Sequence, residues 1–232
     1  MTCIHRTRRT RQTLRILLVP ASLLALGIVP VVAGLVRLAG LMTGQASADA
    51  ARFFEDPLPV ALHILAVIPY SLLGALQFAP ALRRRGWHRA VGVALVPLGL
   101  VAALTGLWMA QFYAWPKGDG EAVYFMRLIV GVAMTFAIVR GVASLWHHEY
   151  VAHGAWMLRG YALGMGAGTQ VLTHLPWFVF VGGTPGEANR AVMMGLAWII
   201  NAIVAEYVIR TRLAAPAGVT SDQPHSVLVS PV

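Results

Sequence analysis

Four histidines of this chain occupy places where polar side chains are unexpected. His63 and His174 lie within long apolar runs, whereas His88 and His153 lie close to the ends of two others. A polar or ionisable group is expensive in hydrocarbon, so it is expected to face the protein interior and to be paired or functional. Imidazole is a common ligand of haem iron, and helix bundles hold cofactors in their cores. The first chemistry that these residues suggest is therefore haem ligation.

His153 and His174 bracket an apolar stretch in which Gly160, Gly164 and Gly168 recur every four residues. This spacing allows another helix, or a flat ligand, to approach the backbone closely. A helical rise of about 1.5 Å per residue places the two histidines ~30 Å apart, which is about one hydrocarbon thickness. The stretch therefore predicts a helix with an imidazole near each membrane surface. Close packing of helices is the simpler use of the glycines.

The composition indicates an integral membrane protein. Of the 232 residues, 58% are hydrophobic and only 12% are charged, about half the charged fraction of a soluble domain. A net charge of +9 would suggest nucleic acid in a soluble chain, but here the basic residues flank apolar runs, as topology determinants do. We therefore expect no nucleic-acid partner. The single cysteine, Cys3, excludes an internal disulfide.

Apolar runs long enough to cross a bilayer occur six times, which predicts an all-α, polytopic bundle of six transmembrane helices. The first run, of about 21 residues, is longer than the apolar region of a signal peptide, so we expect an uncleaved helix. The predicted spans are Ile16–Val36, Leu58–Phe78, Val91–Phe112, Ala122–Leu145, Ala155–Val181 and Ala191–Val208.

The basic residues also predict the orientation of the chain. Thirteen of the 18 lysines and arginines fall on the side of the N-terminus, so the positive-inside rule places both termini in the cytoplasm of a bacterium, with the spans in its inner membrane. The predicted divisions are a basic cytoplasmic N-terminus (1–15), a first helix with its outer loop (16–57), a five-helix membrane domain (58–209) and a disordered cytoplasmic tail (210–232).

The leading hypothesis is a membrane electron carrier that binds b-type haem and serves a quinone or another redox partner. Depth in the bilayer groups the histidines into a cytoplasmic pair, His88 and His153, and an outer pair, His63 and His174. These four are the candidate iron ligands. Arginine suits the propionates, and a carboxylate can orient a ligand or an arginine. The residues expected in these supporting roles are Arg89, Arg159 and Glu206.

Two alternatives stay open. In a proton-coupled transporter or carrier, His63, Asn201 and Glu206 would form a polar pathway. In a structural or lipid-binding subunit without catalysis, the turn that contains Arg83, Arg84 and Arg85 would bind anionic lipid headgroups. Glu206 would then form an interfacial ion pair with Arg89 or Arg159. We identify no catalytic residues.

Several motifs in fixed order resemble a family of predicted bacterial membrane proteins known as domain of unknown function 2306. They are His63, LLGALQFAPALRRR at 72–85, His88-Arg89, HGAWMLRGYAL at 153–163, Trp198, Asn201 and the Val204-Ala205-Glu206 run. The resemblance covers roughly residues 58–209 and implies a helical membrane fold without indicating an activity. It does not include His174, which leaves His63 to hold a ligand alone or to hydrogen-bond Asn201.

Overall fold

Seven α-helices form most of the chain described by the computed structural model, which covers residues 2–44, 48–79 and 85–213, with side chains at 18–44, 51–79 and 86–211. A 3-10 helix, Ala48–Phe53, precedes the second helix, and a π-helical turn, Ile209–Leu213, follows the last. The side chains of Arg83, Arg84 and Arg85, and most of the predicted tail, lie outside the described residues. The helices are α1 (Thr2–Thr43), α2 (Pro57–Gln77), α3 (Arg85–Phe112), α4 (Glu121–Trp146), α5 (Tyr150–Gly164), α6 (Gly166–Phe180) and α7 (Glu187–Val208).

Five stretches of helix in the described chain are long and apolar enough to cross a membrane. At most a third of each is buried inside the protein, so large apolar side chains such as Ile129 and Ile203 cover the outer surface. Such a surface suits lipid and not water. The predicted all-helical membrane fold is confirmed. The five stretches are Leu18–Thr43, Pro57–Gln77, Gly86–Phe112, Glu121–Trp146 and Glu187–Thr211.

The predicted fifth span, Ala155–Val181, is not one continuous helix. It consists of α5 and α6, two helices of 15 residues each with Met165 between them. Each rises only ~22 Å, less than the hydrocarbon thickness of about 30 Å. Glycines stand on both sides of Met165, and glycine is a poor helix former. The structure therefore does not confirm six continuous spans, and the number of crossings and the side of the termini stay predictions.

Tyrosine rings set against glycines hold the centre of the bundle together. An added Cβ at Gly74 would collide with the ring of Tyr161, and one at Gly99 would lie 2.7 Å from the ring of Tyr70. The Tyr161 hydroxyl donates a hydrogen bond to the Ser71 carbonyl oxygen at 2.8 Å. These contacts let α2 approach both α3 and α5.

The glycine series between His153 and His174 also serves helix packing. Each of its three glycines faces protein atoms where a side chain would begin, so all three allow neighbouring groups to approach closely. The nearest atoms to a Cβ added at Gly160, Gly164 and Gly168 are Ile138 Cγ1 at 3.2 Å, Tyr70 Cε1 at 3.0 Å and Leu26 O at 2.6 Å, respectively.

Candidate functional site

A cavity of about 370 Å³ lies between the helices on the side where α2, α4 and α7 begin. We call that side the Asp119 end and the opposite side the Glu206 end. The cavity extends from the loop at 113–116 to Leu163 and Gly164 beside the break between α5 and α6. Its walls are mainly apolar, and its size is that of a small-molecule site. The polar and charged side chains of its lining are Arg52, His63, Tyr70, Ser71, Tyr113, Trp115, Arg127, Gln170 and Trp198.

His63 places its imidazole in the cavity wall, where the ring hydrogen-bonds two residues of α3. Its Nδ1 lies 3.1 Å from the Thr105 hydroxyl, which itself donates to the Val101 carbonyl oxygen at 2.5 Å. A hydroxyl that donates to Val101 can accept from a ring N–H. The ring also donates to the Ala102 backbone carbonyl oxygen, so α3 holds the imidazole in the cavity wall, where a ligand can reach it. The expected bond between His63 and Asn201 is absent from the described contacts, because Thr105 takes its place.

Tyr70 contributes a second polar group to the cavity wall. The residue is only 4% exposed, and its hydroxyl has no hydrogen-bond partner among the described residues. A buried hydroxyl left unsatisfied costs about 1–3 kcal/mol. A water or a polar atom of a ligand would remove that cost.

Asp119 anchors the ends of two helices beside the cavity. Its side chain is 1% exposed and lies between Arg127 on α4, with Nη1 2.5 Å from Oδ2, and Arg190 on α7. Gly118, with φ +81°, provides the left-handed turn that brings the carboxylate there. Two guanidinium groups share one carboxylate, so this cluster has a net positive charge.

The charged residues that line the cavity are Arg52 and Arg127; the lining includes no aspartate or glutamate. Arg52 donates to the Ala114 carbonyl oxygen at 3.1 Å and lies 4.6 Å from the centre of the Phe53 ring. Tyr113 donates to the Asp56 carbonyl oxygen. Burial, assisted by the nearby Asp56 charge, raises the pKa of Tyr113, although a backbone hydrogen bond opposes the shift. With two arginines and no lining carboxylate, the formal charge of the cavity lining is positive.

Asn201 on α7 bridges the break between α5 and α6. Its amide donates to the Ala162 carbonyl oxygen at 3.0 Å, and its own oxygen accepts from the Thr169 hydroxyl at 2.7 Å. An added Cβ at Gly166 would collide with the Trp198 indole, so this glycine is required by the approach of α7. Interrupted helices occur at membrane depth where protein or a cavity satisfies their free backbone groups. Asn201 performs that role here.

His174 lies in a second cavity, between α1 and α6, which His63 does not line. Its Nδ1 is 2.7 Å from the Gln170 carbonyl oxygen of its own helix, and its ring stacks on Phe178. Neither of these two cavities is lined by more than one histidine. Because His63 and His174 line different cavities, a haem bound by both does not fit the described residues. Haem binding stays a sequence-based prediction.

At the Glu206 end, Arg159 and Glu206 form a two-pronged ion pair between α5 and α7. Arg159 Nε and Nη2 lie 2.5 and 3.1 Å from the two carboxylate oxygens, and the guanidinium stacks 4.6 Å from the Trp156 ring centre. Arg159 is thus the one of the two expected arginines that pairs with Glu206. Both side chains are about a third exposed.

Two further candidate histidines lie at this end, His88 on α3 and His153 on α5. His153 Nδ1 lies 2.7 Å from the Gly141 carbonyl oxygen. His88 and Arg89 are exposed at the start of α3, where the His88 carbonyl oxygen accepts from Gln77 at 3.3 Å. The described residues include no group of three or more histidine, cysteine, aspartate or glutamate side chains that could hold a metal ion. Two histidines alone would not form such a group, so pairing of His88 with His153 stays a prediction.

Sequence reasoning missed Asp119, Arg127 and Thr105. Arg127 was detectable, because it is an arginine within a predicted span, and a charge there needs a partner. Asp119 lies in a loop where acidic residues are ordinary, and only folding brings two arginines to it. Thr105 carries no signal in the sequence that would assign it to His63.

Comparison with known proteins supports the membrane assignment. No curated protein and no solved structure shows significant similarity to the chain. A family model described as a predicted membrane protein, domain of unknown function 2306, matches residues 60–209. That match includes the α-helices that line the cavity and most of the Glu206 end, whereas Arg52 and Phe53 of the 3-10 helix precede it. The chain therefore belongs to the domain of unknown function 2306 family of predicted membrane proteins.

Proposed function

We propose that this protein is a proton-coupled carrier, which takes a small solute into the cavity beside His63 and moves it across the membrane. The observation that supports this most is the position of His63 in a cavity that extends to an interrupted helix. Ionisable residues inside membrane bundles commonly mark substrate or proton pathways. Interrupted helices commonly form the substrate sites of carriers.

His63 is the group expected to exchange the proton. Thr105 and the Ala102 backbone hold the ring in the cavity wall, where an imidazole can accept a proton and return it. The unpartnered Tyr70 hydroxyl, seven residues further along the same face of α2, can bond the solute or a water beside it.

The break between α5 and α6 is expected to allow movement. Asn201 holds both sides of this break through two side-chain hydrogen bonds, and each bond contributes only about 0.5–1.5 kcal/mol. The two short helices can therefore change their relative angle at a smaller free-energy cost than an unbroken helix would require. A changed angle would alter the cavity wall, because Leu163, Gly164 and Ala167 belong to it.

Proton movement in phosphatidylcholine liposomes with a trapped pH-sensitive dye tests this function. Under an imposed pH gradient, lactate, alanine, glucose and choline are added in turn, with protein-free liposomes as the reference. We expect one solute class to accelerate proton entry through the wild type, His63→Gln to abolish the acceleration, and His174→Gln to retain it, since His174 lies in the other cavity. Identical flux through the wild type and His63→Gln with every solute would contradict the carrier.

A further inference from the structure

We infer that the cavity accepts a small carboxylate with an apolar body, and that Arg127 binds its carboxyl group. This inference rests on the proposed function, because it names the solute class that the same cavity takes. The polar lining has donors and an imidazole but no carboxylate of its own. An anion is therefore the charged ligand that complements it.

Arg127 has N–H groups that are not used in its ion pair with Asp119. Its Nη1 is occupied by Asp119, whereas no described residue bonds its Nε or Nη2. A guanidinium has five N–H donors in a planar fork that matches a carboxylate. Because Arg127 also belongs to the cavity lining, its remaining donors are available to a bound anion.

Asp119 does not cancel the attraction for an anion. Its carboxylate is shared with Arg190, so the three groups together have one positive charge in excess. The acidic residues of the same end, such as Glu121 and Glu187, do not line the cavity. A carboxylate bound to Arg127 would therefore balance the charge of the cluster.

The rest of the cavity suits an apolar body. Beyond Arg127 the wall includes Met109, Met134, Met194 and several alanines, and methionine adapts readily to irregular apolar groups. A carboxylate with a compact hydrocarbon or aromatic body would bury that body against these side chains. A sugar or a polyanion would find few partners there.

Isothermal titration of the full chain in nanodiscs made only of phosphatidylcholine, at pH 7.5, tests the assignment with benzoate, benzamide and benzylamine. The three probes share a ring and differ in charge, and empty nanodiscs correct for partitioning into lipid. We expect benzoate to bind at least tenfold more tightly than the other two. Equal affinity for benzamide, tighter binding of benzylamine, or binding by none of the three would overturn the carboxylate assignment.

Two variants and one control locate the site. Arg127→Lys keeps a positive charge beside Asp119 but loses the fork, so benzoate affinity should fall about tenfold while benzamide binding is unchanged. Ala110→Leu fills the cavity without touching the ion pairs and should weaken benzoate similarly. Arg190→Lys, at the other partner of Asp119 and outside the cavity lining, should leave benzoate affinity within twofold. A benzoate affinity that is unchanged in both Arg127→Lys and Ala110→Leu would place the anion elsewhere and overturn the inference.

The outcomes separate this inference from the carrier itself. Benzoate binding that depends on Arg127, together with liposome flux that is indifferent to His63→Gln, would retain the carboxylate site and reject the carrier. Flux that depends on His63 with a non-carboxylate solute, together with no preference for benzoate, would retain the carrier and reject the carboxylate.

Discussion

The Asp119 end and the Glu206 end both join helices through ion pairs, yet the two differ in burial and in surroundings. The Asp119 side chain is 1% exposed and bonds arginines of two helices, whereas Glu206 is 38% exposed and bonds one. The cavity lies beside the first pair. The same residue types therefore form ion pairs to a buried carboxylate at one end and a partly exposed ion pair at the other.

This difference predicts very different costs of mutation. Removing one partner of a buried pair leaves a charge that water cannot reach, whereas a partly exposed partner can be solvated. The Glu206 end held more of the candidate histidines and arginines in the sequence, but its ion pair is partly exposed. The less conspicuous Asp119 end encloses the space that a ligand could fill.

Asp119→Asn should have the largest effect, because it leaves Arg127 and Arg190 facing each other without a full counter-charge. We expect a loss of about 3–5 kcal/mol in the free energy of unfolding, measured by unfolding in detergent. Glu206→Gln is the matched control at the other end. A loss for Asp119→Asn no larger than that for the control would show that the two ends are equivalent.

Gly168→Ala tests whether the glycine series serves packing, since its Cβ would lie 2.6 Å from a backbone oxygen of α1. Overpacking of this kind costs about 1–3 kcal/mol, which thermal unfolding would register. The control is Gly92→Ala on α3, where nothing lies within 4 Å. That change should be neutral or stabilising by about 0.5–1 kcal/mol, because alanine favours helix. Similar losses at both positions would exclude steric packing as the cause.

Asn201→Ala should destabilise the junction of α5 and α6 by about 1–3 kcal/mol, because the Ala162 carbonyl oxygen and the Thr169 hydroxyl lose their partner. Hydrogen exchange of the amides at 161–170 should accelerate more than exchange in α4. Thr135→Ala, which removes a bond within one helix, is the control. Uniform acceleration across all helices would mean that Asn201 stabilises the bundle in general and not the break.

Glu206→Gln should have the smallest effect, at most about 1 kcal/mol, because both partners of this pair are about a third exposed and solvent screens them. Thermal unfolding at low and high salt would measure it, and the difference from the wild type should shrink as salt rises. Arg159→Lys retains the charge but loses the planar fork, so its stability should lie between that of the wild type and that of Glu206→Gln. A loss of several kcal/mol in the free energy of unfolding would show that Glu206 is shielded from water as well as Asp119 is.

Part of the candidate site was accessible to sequence reasoning. An imidazole in an apolar run identified His63. The partners were not accessible, because Thr105 and Asn201 are ordinary residues until folding brings them to His63 and to Ala162. The break at Met165 was also missed, since its glycines are equally compatible with one continuous, closely packed helix.

The membrane environment and the class of fold follow from the amino-acid sequence alone. Hydrocarbon requires apolar side chains and internally bonded backbones, so composition and run length suffice to identify membrane helices. The roles of the polar groups depend on the folded arrangement, because partners for charges and hydroxyls come from distant segments. Asp119 meets Arg190 across 71 positions of the chain, and no local pattern of residues records that meeting.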